Sequence, residues 1–444
     1  MILSQYTSEF KRNMTIALPI MAGQVAHLLV ALADNIMVGK LGAAQLAAVS
    51  LGNTFIFIAL SIGLGLSFAI TPLVAEADGN KNQAVVKAAF HNGFIMCAAS
   101  GILLVFILFL AEPILYRMDQ PIEVVRLAIP YMRIVGISLI PLMLFQAMKQ
   151  FSDGLSLTRN AMIATLIANI VNVGLNYLLI YGTFGFPRLE VEGAAYGTLI
   201  SRILMVVLLY FILKNSSFTK VYFEKFSKLS WSYLKSLLNL GLPTALQMLF
   251  EVSLFTSAIF LSGVLGTEHQ AANQIALNLS ALTFMVGVGL SVTATIRVGN
   301  HLSPARKPDL IRIARSIFLM AFIVDMLFAM LFFFGRNLLP HVYIEDPYVI
   351  ELASGLLLIA AFFQISDGLQ VVVLGALRGL QDVWIPSLIC FFAYTLVGFP
   401  ISYYSSLHYG YGVNGIWYGV LAGLSVSAIL MYLRFRYLSR RPSH

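Results

Sequence analysis

The chain has 444 residues, of which 59% are hydrophobic, 12% aromatic and only 11% charged. That is less than half the charged share of a soluble domain, and it excludes a disordered chain, a coiled coil and an ordinary soluble enzyme. Lys and Arg number 28 against 20 Asp and Glu, a net charge of +8; in a chain this apolar the excess is a topology signal, and no nucleic-acid partner is expected.

Runs of about 20 apolar residues, enough to cross the hydrocarbon core, recur twelve times. They cover 14–38, 46–74, 88–110, 124–147, 161–181, 193–213, 236–262, 271–296, 311–334, 349–376, 385–406 and 413–435. In lipid, segments of this length satisfy their backbone only as helices. The expected fold class is therefore an all-α polytopic membrane protein with twelve transmembrane helices embedded in the bilayer. The first run is too long for the apolar region of a cleaved signal peptide. Cys97 and Cys390 lie inside apolar runs and give neither a disulfide framework nor a CxxC pair. Connections are short, and the longest polar one runs from Lys214 to Lys235.

With both termini cytoplasmic, the inside loops, tails and adjoining span ends hold 21 of the 28 basic residues, among them Lys225, Arg306 and Arg441. The outside loops hold four: Lys40, Arg117, Arg188 and Arg336. Arg126, Arg133 and Arg202 fall within spans. This asymmetry predicts cytoplasmic termini in the cell's inner (plasma) membrane.

The chain repeats itself. A shift of 224 residues lays Leu18-Pro19 on Leu242-Pro243, Gly39 on Gly263, and Gly63, Gly65, Leu66 and Ser67 on Gly287, Gly289, Leu290 and Ser291. At an offset of 222, Val191, Gly193, Tyr196 and Gly197 match Val413, Gly415, Tyr418 and Gly419. Six spans per half give both halves one orientation, the plan of parallel-repeat transporters. The expected organisation is an N-terminal six-helix lobe (1–213), a cytoplasmic linker (214–235) and a C-terminal six-helix lobe (236–444). The two lobes would flank a central cavity.

Charges in hydrocarbon are costly, so each acid within a span is a functional-site candidate. Apart from Glu351 at a span edge there are four: Asp34, Glu251, Asp325 and Asp367. Glu251 and Asp367 could face one cavity and hold either a sodium ion, through hard oxygens, or a proton. At the repeat offset Glu251 falls on His27 and Asp34 on Ala258, so the acids do not follow the symmetry of the glycines and prolines, which favours function over scaffold. Asp34 could carry a proton in the first lobe. Asn172 and Asn176, four apart and on one helix face, could bond it. Asn273, Gln274 and Asn278 form a second polar patch that could complete the oxygen shell of Glu251 and Asp367. Asp325 has no obvious partner in sequence and reads as structural or peripheral. Pro19 and Pro243 each remove a backbone bond early in equivalent spans and permit bending that could serve gating. No phosphate loop, HExxH pair or nucleophile elbow occurs. An ion- or proton-driven carrier without a resident cofactor is expected, not an enzyme.

These residues carry a family resemblance. Leu18-Pro19 with Asp34-x-x-Met37-Val38-Gly39, Phe151-x-Asp153-Gly154-x-Ser156-Leu157-Thr158, Phe250-Glu251-Val252, Asn273-Gln274-x-Ala276-Leu277-Asn278, Ile296-Arg297-Val298-Gly299 and Asp367 with Leu377-Arg378-Gly379 together resemble the multidrug and toxic compound extrusion (MATE) family, most closely its NorM-type branch. The resemblance implies a two-lobe antiporter exporting bulky amphipathic, often cationic, drugs in exchange for Na⁺ or H⁺. It places the cation site of the second lobe at Glu251 and Asp367 and ties Asp34 to proton coupling. Phe363 stands where such members often have a tyrosine, and Asn273 where a histidine is common. No dimer face is evident, so a monomer is expected. A lipid-linked sugar flippase, using Arg202 and Arg133 for a pyrophosphate, is the second reading; an intramembrane enzyme is the third.

Overall fold

Each of the twelve apolar runs is a helix in the computed structural model, which describes residues 2–118, 120–224, 226–303 and 307–440. Lys225, Arg306 and Arg441, counted above for topology, lie outside the described residues. The helices long and apolar enough to cross a membrane are α1 (Ser8–Gly39), α2 (Ala43–Gly79), α3 (Gln83–Leu115), α4 (Ile122–Gly154), α5 (Thr158–Tyr181), α6 (Glu190–Asn215), α7 (Trp231–Leu265), α8 (Thr267–Gly299), α9 (Pro308–Gly335), α10 (Pro347–Gly379), α11 (Trp384–His408) and α12 (Gly412–Arg440). They run past the apolar cores at most ends, and two of them begin at a side-chain cap. Asn82 caps α3 by accepting from the Val85 N–H, and Asp346 caps α10 by accepting from Tyr348 and Val349 N–H groups, with Pro347 at the first helical position. Two spans are interrupted inside: α2 at Phe68–Ala69 and α4 at Ser138, whose hydroxyl bonds the Val135 carbonyl at 2.6 Å.

The chain divides into two compact units that do not follow the expected boundaries. One comprises Met1–Met21 with Leu246–His444, the other Ala22–Ala245. The beginning of α1 therefore packs with the C-terminal helices and the beginning of α7 with the N-terminal ones. The two crossing points are 224 residues apart, the period of the repeat, and each lies two residues beyond a proline, Pro19 or Pro243. Small residues make the exchange close. A Cβ on Gly289 would collide with Met21, and one on its repeat mate Gly65 with Ala245. Both prolines lie inside continuous helices.

The start of α1 is clasped within its unit. Arg297, 1% exposed, donates to Glu9 Oε2 at 2.6 Å and to Asn13 Oδ1 at 3.1 Å, and Asn13 donates to Ser316 Oγ at 2.9 Å. The segment expected to be a linker is likewise not a free connection. His91 of α3 bonds Ser227 and the Tyr222 carbonyl and stacks on Phe226 at 4.3 Å, while Asn92 accepts from the Ser230 N–H. Residues 216–224 and 226–230 thus belong to the packing of the N-terminal helices.

The repeated Gly motif marks a close helix contact in each unit. A Cβ on Gly193 would stand 2.6 Å from the Leu179 carbonyl, and one on Gly415 2.6 Å from the Ser405–Ser406 peptide. Small residues allow such backbone approach where no hydrophobic effect drives helices together. In the second unit the approach is accompanied by wide π-helical turns in α11, at Phe392–Gly398 and Tyr404–His408, and by Ser402 and Ser405 donating to carbonyls of α12.

Candidate coupling-ion and proton sites

In the first helices, Asp34 and its asparagines come together as the spacing on α5 suggested. Asn176 Nδ2 donates to Asp34 Oδ1 at 2.6 Å and reaches Asn172 Oδ1 at 3.4 Å; Asn172 Nδ2 donates to Ser201 Oγ of α6 at 3.2 Å. Asn176 and Asn172 are 0% and 4% exposed, and Asp34 is half-buried. The chain of amides fixes the carboxylate and leaves one oxygen for another partner. Arg202 donates to Ser138 Oγ at 2.7 Å and lies within electrostatic reach of Asp34. Arg133, in contrast, is 56% exposed and paired with Glu112 at 2.6 Å. The two arginines therefore do not gather into one cationic pocket of the kind a pyrophosphate would require.

In the C-terminal helices the acids are held differently. Gln247 and Glu251 lie one turn apart on α7 and share a face. Arg378, in the last turn of α10, donates to Gln247 Oε1 at 3.2 Å and attracts Glu251. Asp367 lies three turns earlier on α10 and is 2% exposed, and its Oδ1 has no hydrogen-bond partner. Both Glu251 and Asp325 act on it electrostatically. Gln364, one turn before Gly368, donates to Thr283 of α8 and leaves its own carbonyl oxygen unpartnered. Carboxylates with an amide oxygen are hard donors that suit an alkali cation. Among the described residues no group of three or more His, Cys, Asp or Glu converges at metal-binding range, so a cation here would complete its shell with amide, hydroxyl or water oxygens.

The polar patch on α8 separates. Asn273 is fully buried, donates to Ser262 Oγ at 3.2 Å and accepts from Trp417 Nε1 at 2.9 Å. Gln274 and Asn278 are exposed and bond each other at 3.0 Å. The expectation that they close the oxygen shell of Glu251 and Asp367 is not met, because residues one and five positions along from a buried Asn273 face away from it. Phe363, 1% exposed, packs edge-on against Trp417 and Phe255 with ring centroids 5.3 and 6.3 Å apart; apolar packing, not a hydroxyl ligand, occupies that position.

Sequence reasoning missed Ser201, Gln247 and the electrostatic role of Arg378. Arg378 had a signal, its place near the end of an acid-bearing span, but it was counted with topology charges. Ser201 and Gln247 carry none, since one hydroxyl or amide in a membrane helix is commonplace.

The comparisons agree with this architecture. The MatE family model matches residues 19–178 and 243–404, one match in each half. The probable multidrug resistance protein NorM of Agrobacterium fabrum is 32% identical over 441 residues, covering 98% of this chain and 95% of that protein. The multidrug resistance protein MdtK of Yersinia pestis is 31% identical over 448 residues, covering 99% and 98%. Among solved structures, a eukaryotic MATE transporter superposes with a TM-score of 0.88 at 20% identity, covering 97% and 96%. An outward-facing multidrug resistance MATE transporter of the MOP superfamily gives 0.87 at 22%, covering 96% and 95%; these two likenesses show the fold. With twelve spanning helices, a repeated family match and relatives aligned end to end, this chain belongs to the MatE family, the multidrug and toxic compound extrusion transporters, in its NorM-type branch.

Proposed function

We propose that this protein is a secondary antiporter that exports bulky amphipathic, often cationic, compounds in exchange for Na⁺ or H⁺. It works as a monomer in the inner membrane with both termini cytoplasmic. The repeated halves act as two lobes that give alternate access to the two sides of the membrane, the common behaviour of such repeats. Asp367 carries the reading: a buried carboxylate with an unpartnered oxygen, a second acid nearby and Arg378 engaged with its neighbours.

Glu251 and Asp367 take the incoming cation, and Asp34, held by Asn176, takes a proton in the other half. Each elementary charge crossing 100 mV supplies about 2.3 kcal/mol, enough to sustain a drug concentration ratio of some tens. Coupling requires that the bound ion favour the state that releases drug, since only differential affinity shifts populations. Ethidium transport by the purified protein in liposomes tests this, with sodium and proton gradients imposed separately on wild type and Glu251→Gln. Sodium-driven transport lost in Glu251→Gln places coupling at Glu251 and Asp367. Transport driven only by protons moves the coupling to Asp34. No gradient-driven transport of any organic cation overturns the antiporter reading.

A further inference from the structure

The stretch between α6 and α7 carries a pattern that the antiport scheme does not use. Its inward residues are fastened to the helices. Thr219, fully buried, donates to the Leu213 carbonyl, and Tyr222, 4% exposed, lies edge-on to Phe151. Phe223 packs against Phe90 and Tyr210 with ring centroids 5.4 and 5.7 Å apart, and Lys87 of α3 donates to the Val221 carbonyl at 3.4 Å. The outward residues do not suit a loop in water. Phe218, Val221, Phe226, Leu229 and Trp231 are between 41% and 74% exposed. Exposed lysines are interleaved with them: Lys214, Lys220, Lys228 and Lys235. Both ends of the stretch join spanning helices, so it lies close to the bilayer surface. Apolar side chains mixed with lysines fit that surface, where rings enter the acyl boundary and ammonium groups reach the headgroups.

The same stretch borders a recess of about 260 Å³ lined by Lys214, Asn215, Lys220, Phe223 and Glu224. The Lys214 ammonium stands 5.3 Å from the centre of the Tyr210 ring. Among the described residues neither Lys214 nor Lys220 forms an ion pair with a carboxylate. Two uncompensated ammonium groups thus outnumber the one acid of the recess, beside an amide and an aromatic wall. We propose that this recess binds the headgroup of an anionic phospholipid, with the exposed apolar side chains of the stretch seated in the leaflet around it. A free phosphate would use the lysines and leave those apolar groups in water; a phospholipid covers both. In the orientation proposed above the leaflet is the cytoplasmic one. The site is independent of the antiport reading.

The test is native mass spectrometry of the delipidated full chain in detergent, titrated with phosphatidylglycerol or phosphatidylcholine. Phosphatidylglycerol should bind about tenfold more tightly. Lys214→Gln with Lys220→Gln should bring it to the phosphatidylcholine level, whereas Lys214→Arg with Lys220→Arg should keep the preference, as should the control Lys40→Gln in an outside loop. The arginine pair separates loss of the site from loss of the fold. A second readout is Trp231 fluorescence in a Trp384→Phe chain, which retains only Trp231 and the buried Trp417; vesicles of brominated lipid should quench it. Equal affinity of the wild type for the two lipids overturns the proposal, as does a preference that survives the glutamine pair. Displacement of phosphatidylglycerol by millimolar inorganic phosphate also overturns it, and makes a free anion the ligand. Unquenched Trp231 places the stretch in water, overturns its seating in the leaflet and points to a soluble partner. Each of these failures leaves ethidium exchange, and so the antiport reading, standing.

Discussion

The two packing units solve the same problem, an acid inside a membrane, in different ways. In the unit Ala22–Ala245, Asp34 is met by Asn176, which leans on Asn172, which leans on Ser201. In the unit holding Leu246–His444, Asp325 and Asp367 keep unpartnered oxygens although they are almost completely buried. A satisfied acid is a fixed structural element with one function left over. An unpartnered one must be neutralised, by a proton or a cation, because an unpaired buried charge costs more than a surface one. Sequence repeats alone would have suggested equal halves; the acids show that the repeat supplies the scaffold and each half was fitted separately.

The contrast can be broken at several points. The largest expected effect comes from Arg297, a buried charge in the second unit that is paired. Arg297→Ala takes the buried partner from Glu9 and Asn13, leaving Glu9 the 3.4 Å contact with Arg312, and should cost about 3 kcal/mol, read as a fall in melting temperature in detergent. A smaller loss would mean that buried charge in this unit is tolerated unpaired, and the contrast would vanish. Next, Asn176→Ala removes the amide that donates to Asp34 Oδ1 and should cost about 1–3 kcal/mol, with weaker proton-driven ethidium transport. Asp367→Asn should have the opposite sign: in Na⁺-free buffer, replacing a buried carboxyl whose Oδ1 has no partner should stabilise by about 1 kcal/mol, while Na⁺-driven transport falls at least about tenfold. Destabilisation there would show that Asp367 is already satisfied. Least affected should be Gln274→Ala, on an exposed pair, within about 0.5 kcal/mol of wild type, whereas Asn273→Ala, one residue earlier and buried, should lose more in the same melt.

Much of the molecule is legible in sequence. Twelve helices follow from hydropathy because lipid leaves the backbone one solution, and the six-plus-six repeat follows from glycines and prolines recurring at one offset. Asp34 with Asn172 and Asn176 was readable because i, i+4 spacing fixes a shared face. Gln274 was misassigned for the complementary reason: periodicity says which residues share a face but not which face is turned inward. The expected boundary near 213–236 failed for a different reason. Covalent continuity suggested that each half packs with itself, whereas the starts of α1 and α7 pack in the opposite halves.

Sequence by itself determined the solvent, the number of spans, the repeat and the identity of the acids, because each is a property of composition or of spacing along one helix. Tertiary structure alone decided which acid is satisfied and which is not, that Arg378 sits beside Glu251, and that Asp325 reaches Gly368. Those are contacts between helices far apart in the chain, and they depend on how closely small residues let two backbones approach, which spacing along one helix does not record.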